Sequence, residues 1–171
     1  MYVYETPGHS PDSLSLFDPD KSILFCGDHV LTITTPAIDA FFTGEDSYTI
    51  YLESLQKVKT LSPRFTLPGH GSPITQGSLD RIDEIIAHKA ERRRAVLRTI
   101  AAYPYCVGET VARLCSKRAN PEQWYKLPAV ARYYMLLETF VMIQTLVAKG
   151  IVQRLPLSDD GVYRLKAAGG F

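Results

Sequence analysis

Met1-Tyr2-Val3-Tyr4-Glu5-Thr6-Pro7-Gly8-His9-Ser10 joins a short apolar strand to a Pro-Gly turn and a histidine. Pro fixes φ and Gly tolerates positive φ, so the turn is rigid and presents the imidazole in one direction. Two later stretches repeat the device. Ile23-Leu24-Phe25-Cys26-Gly27-Asp28-His29 is an apolar strand ending in Gly-Asp-His, and Phe65-Thr66-Leu67-Pro68-Gly69-His70-Gly71 is a short strand ending in Pro-Gly-His-Gly. Three strands that each end in glycine beside histidine or aspartate predict three ligand loops on one rim of a sheet.

TPGHSPDSLSLFDPDKSILFCGDHVL (residues 6–31) followed by LPGHGSPI (residues 67–74) resembles the second half of a metallo-β-lactamase-fold hydrolase. In that family these strand ends supply metal ligands, so the resemblance implies His9, Asp28 and His70 as ligands. It implies that Asp28 is the bridging, catalytic carboxylate, and we place His29 beside it, in the pocket wall or supporting a ligand. The family's earlier signature, His-x-His-x-Asp-His, does not occur in the sequence. The expectation is therefore a chain carrying the C-terminal half of the catalytic domain, an α+β fold that is half of the family's αββα sandwich.

The residue types suit the chemistry. A catalytic zinc takes nitrogen and oxygen ligands and keeps one position open. Two metals about 3.5–4 Å apart can share a carboxylate and a hydroxide whose pKa they lower towards neutrality. Aspartate suits the bridge, being short, anionic and two-oxygened. The resemblance implies two zinc ions in the intact family. In this sequence His9 with Asp28, and Asp28 with His70, offer each metal two protein ligands, whereas a catalytic zinc takes at least three. Weak or partial zinc occupancy and poor hydrolysis are the expectation for this chain alone.

Composition bounds the rest. The 171 residues are 46% apolar and 22% charged with a net charge of +1, which describes a globular protein of one or two domains and gives no global attraction to nucleic acid or membrane. No apolar run reaches about 18 residues, so no membrane span is predicted. No secretory leader is read at the start. Three well-separated cysteines, Cys26, Cys106 and Cys115, read as reduced thiols in a cytoplasmic setting, with Cys26 a small core residue.

Along the chain, residues 1–6 read as a strand and residues 13–27 as a β-hairpin, with Leu14 and Leu16 on one face and a turn at Asp18-Pro19-Asp20-Lys21. An irregular stretch follows to Gly44. Its Phe41 and Phe42 are candidates to line a substrate pocket beside the rim. Asp46 caps a predicted helix to about Thr60. A strand at 64–67 follows, then a long helix from Ser78 or Asp80 to about Ala102 on which Ile82, Ile85, Ile86, Lys89, Val96 and Ile100 form a mixed face.

A short helix is predicted over Gly108–Lys117, and a turn-rich connection between Pro121 and Pro128. A third helix is predicted from Ala129 to Lys149, then a hairpin pairing 151–155 with 162–165. Three helices and a hairpin are the order of a winged-helix-like domain, a module that also ends many family members. The predicted domains are thus 1–77 and 78–171. The third helix is apolar nearly all round, so we expect it buried on more than one side rather than reading a DNA groove.

Two functions follow. One is metal-dependent hydrolysis of an ester, thioester or phosphodiester, with a small ester or thioester or an RNA as substrate. The other is a non-catalytic interaction or dimerisation module that keeps the scaffold. A half-sandwich leaves one apolar sheet face bare, which predicts a homodimer or a partner chain covering it.

Overall fold

The computed structural model describes residues 1–40, 46–116 and 120–169; Phe41 and Phe42 lie outside the described residues. The chain divides into two compact units, Met1–Ala90 and Glu91–Phe171, with the division inside a long helix.

In the first unit, β1 (Tyr2–Glu5), β2 (Leu14–Asp18), β3 (Ile23–Gly27) and β4 (Phe65–Pro68) form one sheet in the order β1-β2-β3-β4. The first three strands are antiparallel and β4 runs parallel to β3. A parallel pair needs a long crossover, and the crossover here carries helix α1 (Ser47–Thr60). At the β2–β3 turn the Asp18 carboxylate accepts from the backbone N–H groups of Asp20 and Lys21, the local hydrogen bonding that favours Asp at turns. Asp46 caps α1 as its sequence predicts, accepting from Thr49 N–H at 3.0 Å. Tyr48, Tyr51, Leu55 and Val58 recur at helical spacing along α1 and are buried.

The sheet has two unlike faces. Ser15, Phe17, Leu24, Cys26 and Thr66 are buried, whereas Val3, Leu14, Leu16 and Phe25 are exposed. Register explains the grouping, since Val3 stands opposite Leu16 and Leu16 opposite Phe25. Leu14 and Leu16 do share a face, and it is the open one.

The first turns of helix α2 (Ser78–Ala102) complete this unit, and its last turns begin the second. The second unit continues with α3 (Gly108–Cys115), α4 (Pro121–Lys126), α5 (Ala129–Ala148), β5 (Val152–Arg154) and β6 (Leu165–Ala167). Val96, Ile100, Val111, Trp124, Met142, Leu146, Val152 and Leu165 are its buried core.

Three expectations are corrected here. The stretch between Pro121 and Pro128 holds a helix, α4. Pro121 opens it at a position where no backbone N–H is needed, and the Asn120 side chain caps it by accepting from Glu122 N–H. The second strand of the hairpin starts at Leu165 rather than Val162, because Asp160 accepts from Val162 N–H and pairs with Arg164, holding residues 158–164 as a turn. Helix α5 buries Val141, Met142 and Leu146 in its second half, but leaves Val130, Tyr133 and Tyr134 exposed in its first half and Phe140 exposed in its second.

Candidate metal centre

The three strand-end loops meet at one carboxylate. A register shift at the end of β3 sets Gly27 opposite Pro68. Gly69 N–H then donates to the Gly27 carbonyl at 2.7 Å, which clamps the Asp28 loop to the His70 loop. The approach is so close that a Cβ on Gly69 would lie 2.8 Å from Asp28 Oδ1. On the other side, Gly8 takes φ +145° with the Tyr51 side chain against it, and a Cβ there would stand 2.4 Å from a Tyr51 ring carbon. Only glycine fits that turn, and the turn delivers His9 to the rim.

Asp28 is contacted by both predicted partners. His70 Nδ1 lies 2.7 Å from Asp28 Oδ1, a hydrogen bond. His9 Nε2 lies 3.7 Å from Asp28 Oδ2. That is too long for a hydrogen bond, but it suits two ligand atoms that each stand about 2.0–2.2 Å from one zinc. His9 Nδ1 is 3.0 Å from the Ala37 carbonyl. A carbonyl can only accept, so Nδ1 carries the proton and Nε2 is the nitrogen free to coordinate. Outer hydrogen bonds of this kind fix metal-binding histidines.

His9, Asp28 and His70 are nitrogen and oxygen donors of the type zinc takes, and His9 and Asp28 stand 3.7 Å apart, as two ligands of one ion would. Among the described residues, no group of three or more His, Cys, Asp or Glu side chains is arranged to hold a metal ion.

The neighbours are structural. His29 is buried, with its ring edge-on to Tyr51 at 5.1 Å and its backbone carbonyl accepting from the Tyr51 hydroxyl at 2.8 Å. Neither of its ring nitrogens has a hydrogen-bond partner among the described residues. Burial pushes its pKa down to about 4, so it is neutral at pH 7. Cys26 is also buried, and burial pushes its thiol up to about 11, which suits an unreactive core residue.

Comparison with known proteins bears on the fold. Residues 1–70 match the profile of the Metallo-beta-lactamase superfamily. The chain is 35% identical over 100 residues to the Beta-lactamase-like protein 2 homolog of Caenorhabditis elegans, covering 58% of this chain and 31% of that protein. It is 34% identical over 92 residues to the Atrochrysone carboxyl ACP thioesterase of Aspergillus fumigatus, covering 54% of this chain and 27% of that protein. The crystal structure of a Beta-lactamase domain protein from Burkholderia ambifaria superposes with a TM-score of 0.84 at 27% identity, covering 97% of this chain and 46% of that one. The chain carries a domain of the metallo-β-lactamase superfamily at residues 1–70. Its matches span about a third of the curated relatives and about half of the superposed structure.

Proposed function

We propose that this chain is part of a zinc-dependent hydrolase that cleaves an ester, thioester or phosphodiester. The reading rests on one observation: Asp28 is contacted by His9 and His70, each brought to it by its own strand-end loop. Zinc, when bound, would supply a Lewis acid and a water of lowered pKa. The chain's own residues do the rest. The Ala37 carbonyl holds His9 with Nε2 towards the site, and Asp28 offers one oxygen to each histidine. A likeness to a protein named as an ACP thioesterase supports a thioester more than an RNA substrate.

Among the described residues the ligand set is short of what hydrolysis needs, so we propose that further ligands come from polypeptide beyond them and that zinc binds weakly or at one position. Residues 1–77 would be the metallo-β-lactamase-like part and 78–171 a winged-helix-like domain, with the first turns of α2, up to Ala90, belonging to the compact unit of the first. The bridge between Cys106 and Leu165, which ties the start of α3 to the terminal hairpin, supports the second assignment. Free cysteines support a cytoplasmic location. Among the described residues no helix is long and apolar enough to cross a membrane.

A specific observation favours a second reading, that of an interaction or dimerisation module. The open sheet face carries Val3 at 64% and Leu14 at 54% exposure, beside Leu16 and Phe25. An apolar patch of this kind marks an interface, covered by a second copy or a partner chain.

Zinc titration separates the two readings. Zinc binding that is lost in Asp28→Ala supports the metal-site reading. An Asp28→Ala chain that binds zinc as the unsubstituted chain does refutes it and leaves the interaction module.

A further inference from the structure

The loop over residues 31–40 has no regular secondary structure, so its carbonyls need acceptor roles outside any ladder. Four of them are taken by side chains. Arg81 Nε donates to the Leu31 carbonyl at 2.8 Å and Arg81 Nη2 to that of Thr34 at 2.9 Å. Lys89 Nζ donates to the Pro36 carbonyl at 2.5 Å. His9 Nδ1 takes the next one, Ala37. Arg81 and Lys89 both lie on α2 and both belong to the first unit.

Lys89 is fully buried, with its ammonium 5.8 Å from the centre of the Tyr51 ring. Burying an ammonium costs several kcal/mol of lost hydration. An apolar residue at this position of α2, in phase with Ile82, Ile85 and Val96, would fill the core without that cost. Among the contacts of Lys89 is a charge-assisted hydrogen bond of fixed direction, to the Pro36 carbonyl. That bond ends on the peptide immediately before Ala37.

We infer that Lys89, with Arg81, is a positioning residue for the metal centre: it anchors the 31–40 loop so that the Ala37 carbonyl keeps His9 in the Nδ1–H tautomer, with Nε2 towards Asp28. Without the anchor the Pro36–Ala37 peptide is free to turn. His9 then loses its acceptor, and its two tautomers become comparable. The relevance to metal rests on the reading of His9 as a ligand; the tautomer itself does not.

The test is imidazole NMR on 15N-labelled protein without metal, followed by zinc titration. In the unsubstituted chain His9 shows a protonated Nδ1 and a pyridine-type Nε2. In Lys89→Met, checked for folding by circular dichroism, His9 becomes a mixture of tautomers and zinc binding weakens by about tenfold, the lower end of the 10–100-fold typical for outer-shell changes. Arg81→Met shifts the tautomers in the same sense and serves if Lys89→Met does not fold.

An Nε2–H tautomer in the unsubstituted chain overturns the inference. So does an unchanged single Nδ1–H tautomer in every variant that folds. A chain that binds no zinc yet shows the tautomer shift would overturn the metal-site reading and leave the positioning role standing.

Discussion

The two histidines that reach Asp28 are held in different ways. His9 sits in a turn fixed at both ends: Gly8 N–H donates to the Ser10 carbonyl, the Gly8 carbonyl accepts from Asp39 N–H, and the ring donates to Ala37. Its side chain is 36% exposed. His70 is 80% exposed, and its ring is tied to Asp28. One side of the centre is therefore built by the fold, and the other depends on the carboxylate it shares. A metal entering this site would find His9 in place and would have to order His70, at a cost of about 0.5–1.5 kcal/mol per immobilised side chain.

The largest effect that would sharpen this contrast is on folding. Gly8→Ala puts a Cβ into the Tyr51 side chain and backbone at a φ that L-residues avoid. We expect a loss of roughly 3–5 kcal/mol in urea denaturation, overpacking and backbone strain together. Gly69→Ala meets the movable end of Asp28 and should cost about 1–2 kcal/mol. Equal losses would break the contrast between a rigid and a loose side.

Acid is the next lever. Unfolded His29 takes up a proton as pH falls through about 6.5, whereas in the folded protein burial holds its pKa down to about 4. The unfolded state thus binds more protons between these values, and stability falls as pH drops from about 6.5 to about 4, by roughly 3 kcal/mol. Above pH 7 the contribution is constant. His29→Leu should remove this part of the slope in denaturation curves measured across that range.

Metal affinity should then separate the two histidines directly. Both His9→Ala and His70→Ala weaken zinc binding. His9→Ala should weaken it by about 2–10-fold more, because a preplaced ligand loses less conformational freedom on binding. Isothermal titration of the two variants reads the ratio, and a larger loss for His70→Ala would contradict it.

The smallest effect belongs to the open face. Leu14→Lys should change unfolding free energy by less than about 0.5 kcal/mol, as for an exposed position. Light scattering at micromolar concentration should nevertheless show less self-association if a second copy covers that face. A well-behaved monomer before and after the substitution would refute self-association.

How much of this is written in the sequence depends on range. The ligand loops are legible because each is a local pattern, a strand, a glycine and a histidine or aspartate. Asp46 is legible as a cap for the same reason. The lock on His9 is not, because Ala37 lies 28 residues away in a loop without periodicity. Lys89 leaves a faint signal, a charged residue on the apolar stripe of α2, yet nothing local says which carbonyl it meets. Helix α4 was hidden by Pro121, which breaks a helix from within but starts one well. The β2 alternation reveals which residues share a face, but not that the face with Leu14 and Leu16 is the open one.

The measurement closest to the central claim is equilibrium dialysis against zinc with elemental analysis, comparing the unsubstituted chain with Asp28→Ala. If His9, Asp28 and His70 form an incomplete centre, the chain retains about one zinc, weakly, since two protein ligands per ion fall short of the three of a catalytic site, and Asp28→Ala retains none. Equal zinc in both proteins would contradict the assignment of Asp28 as the residue on which the site is built.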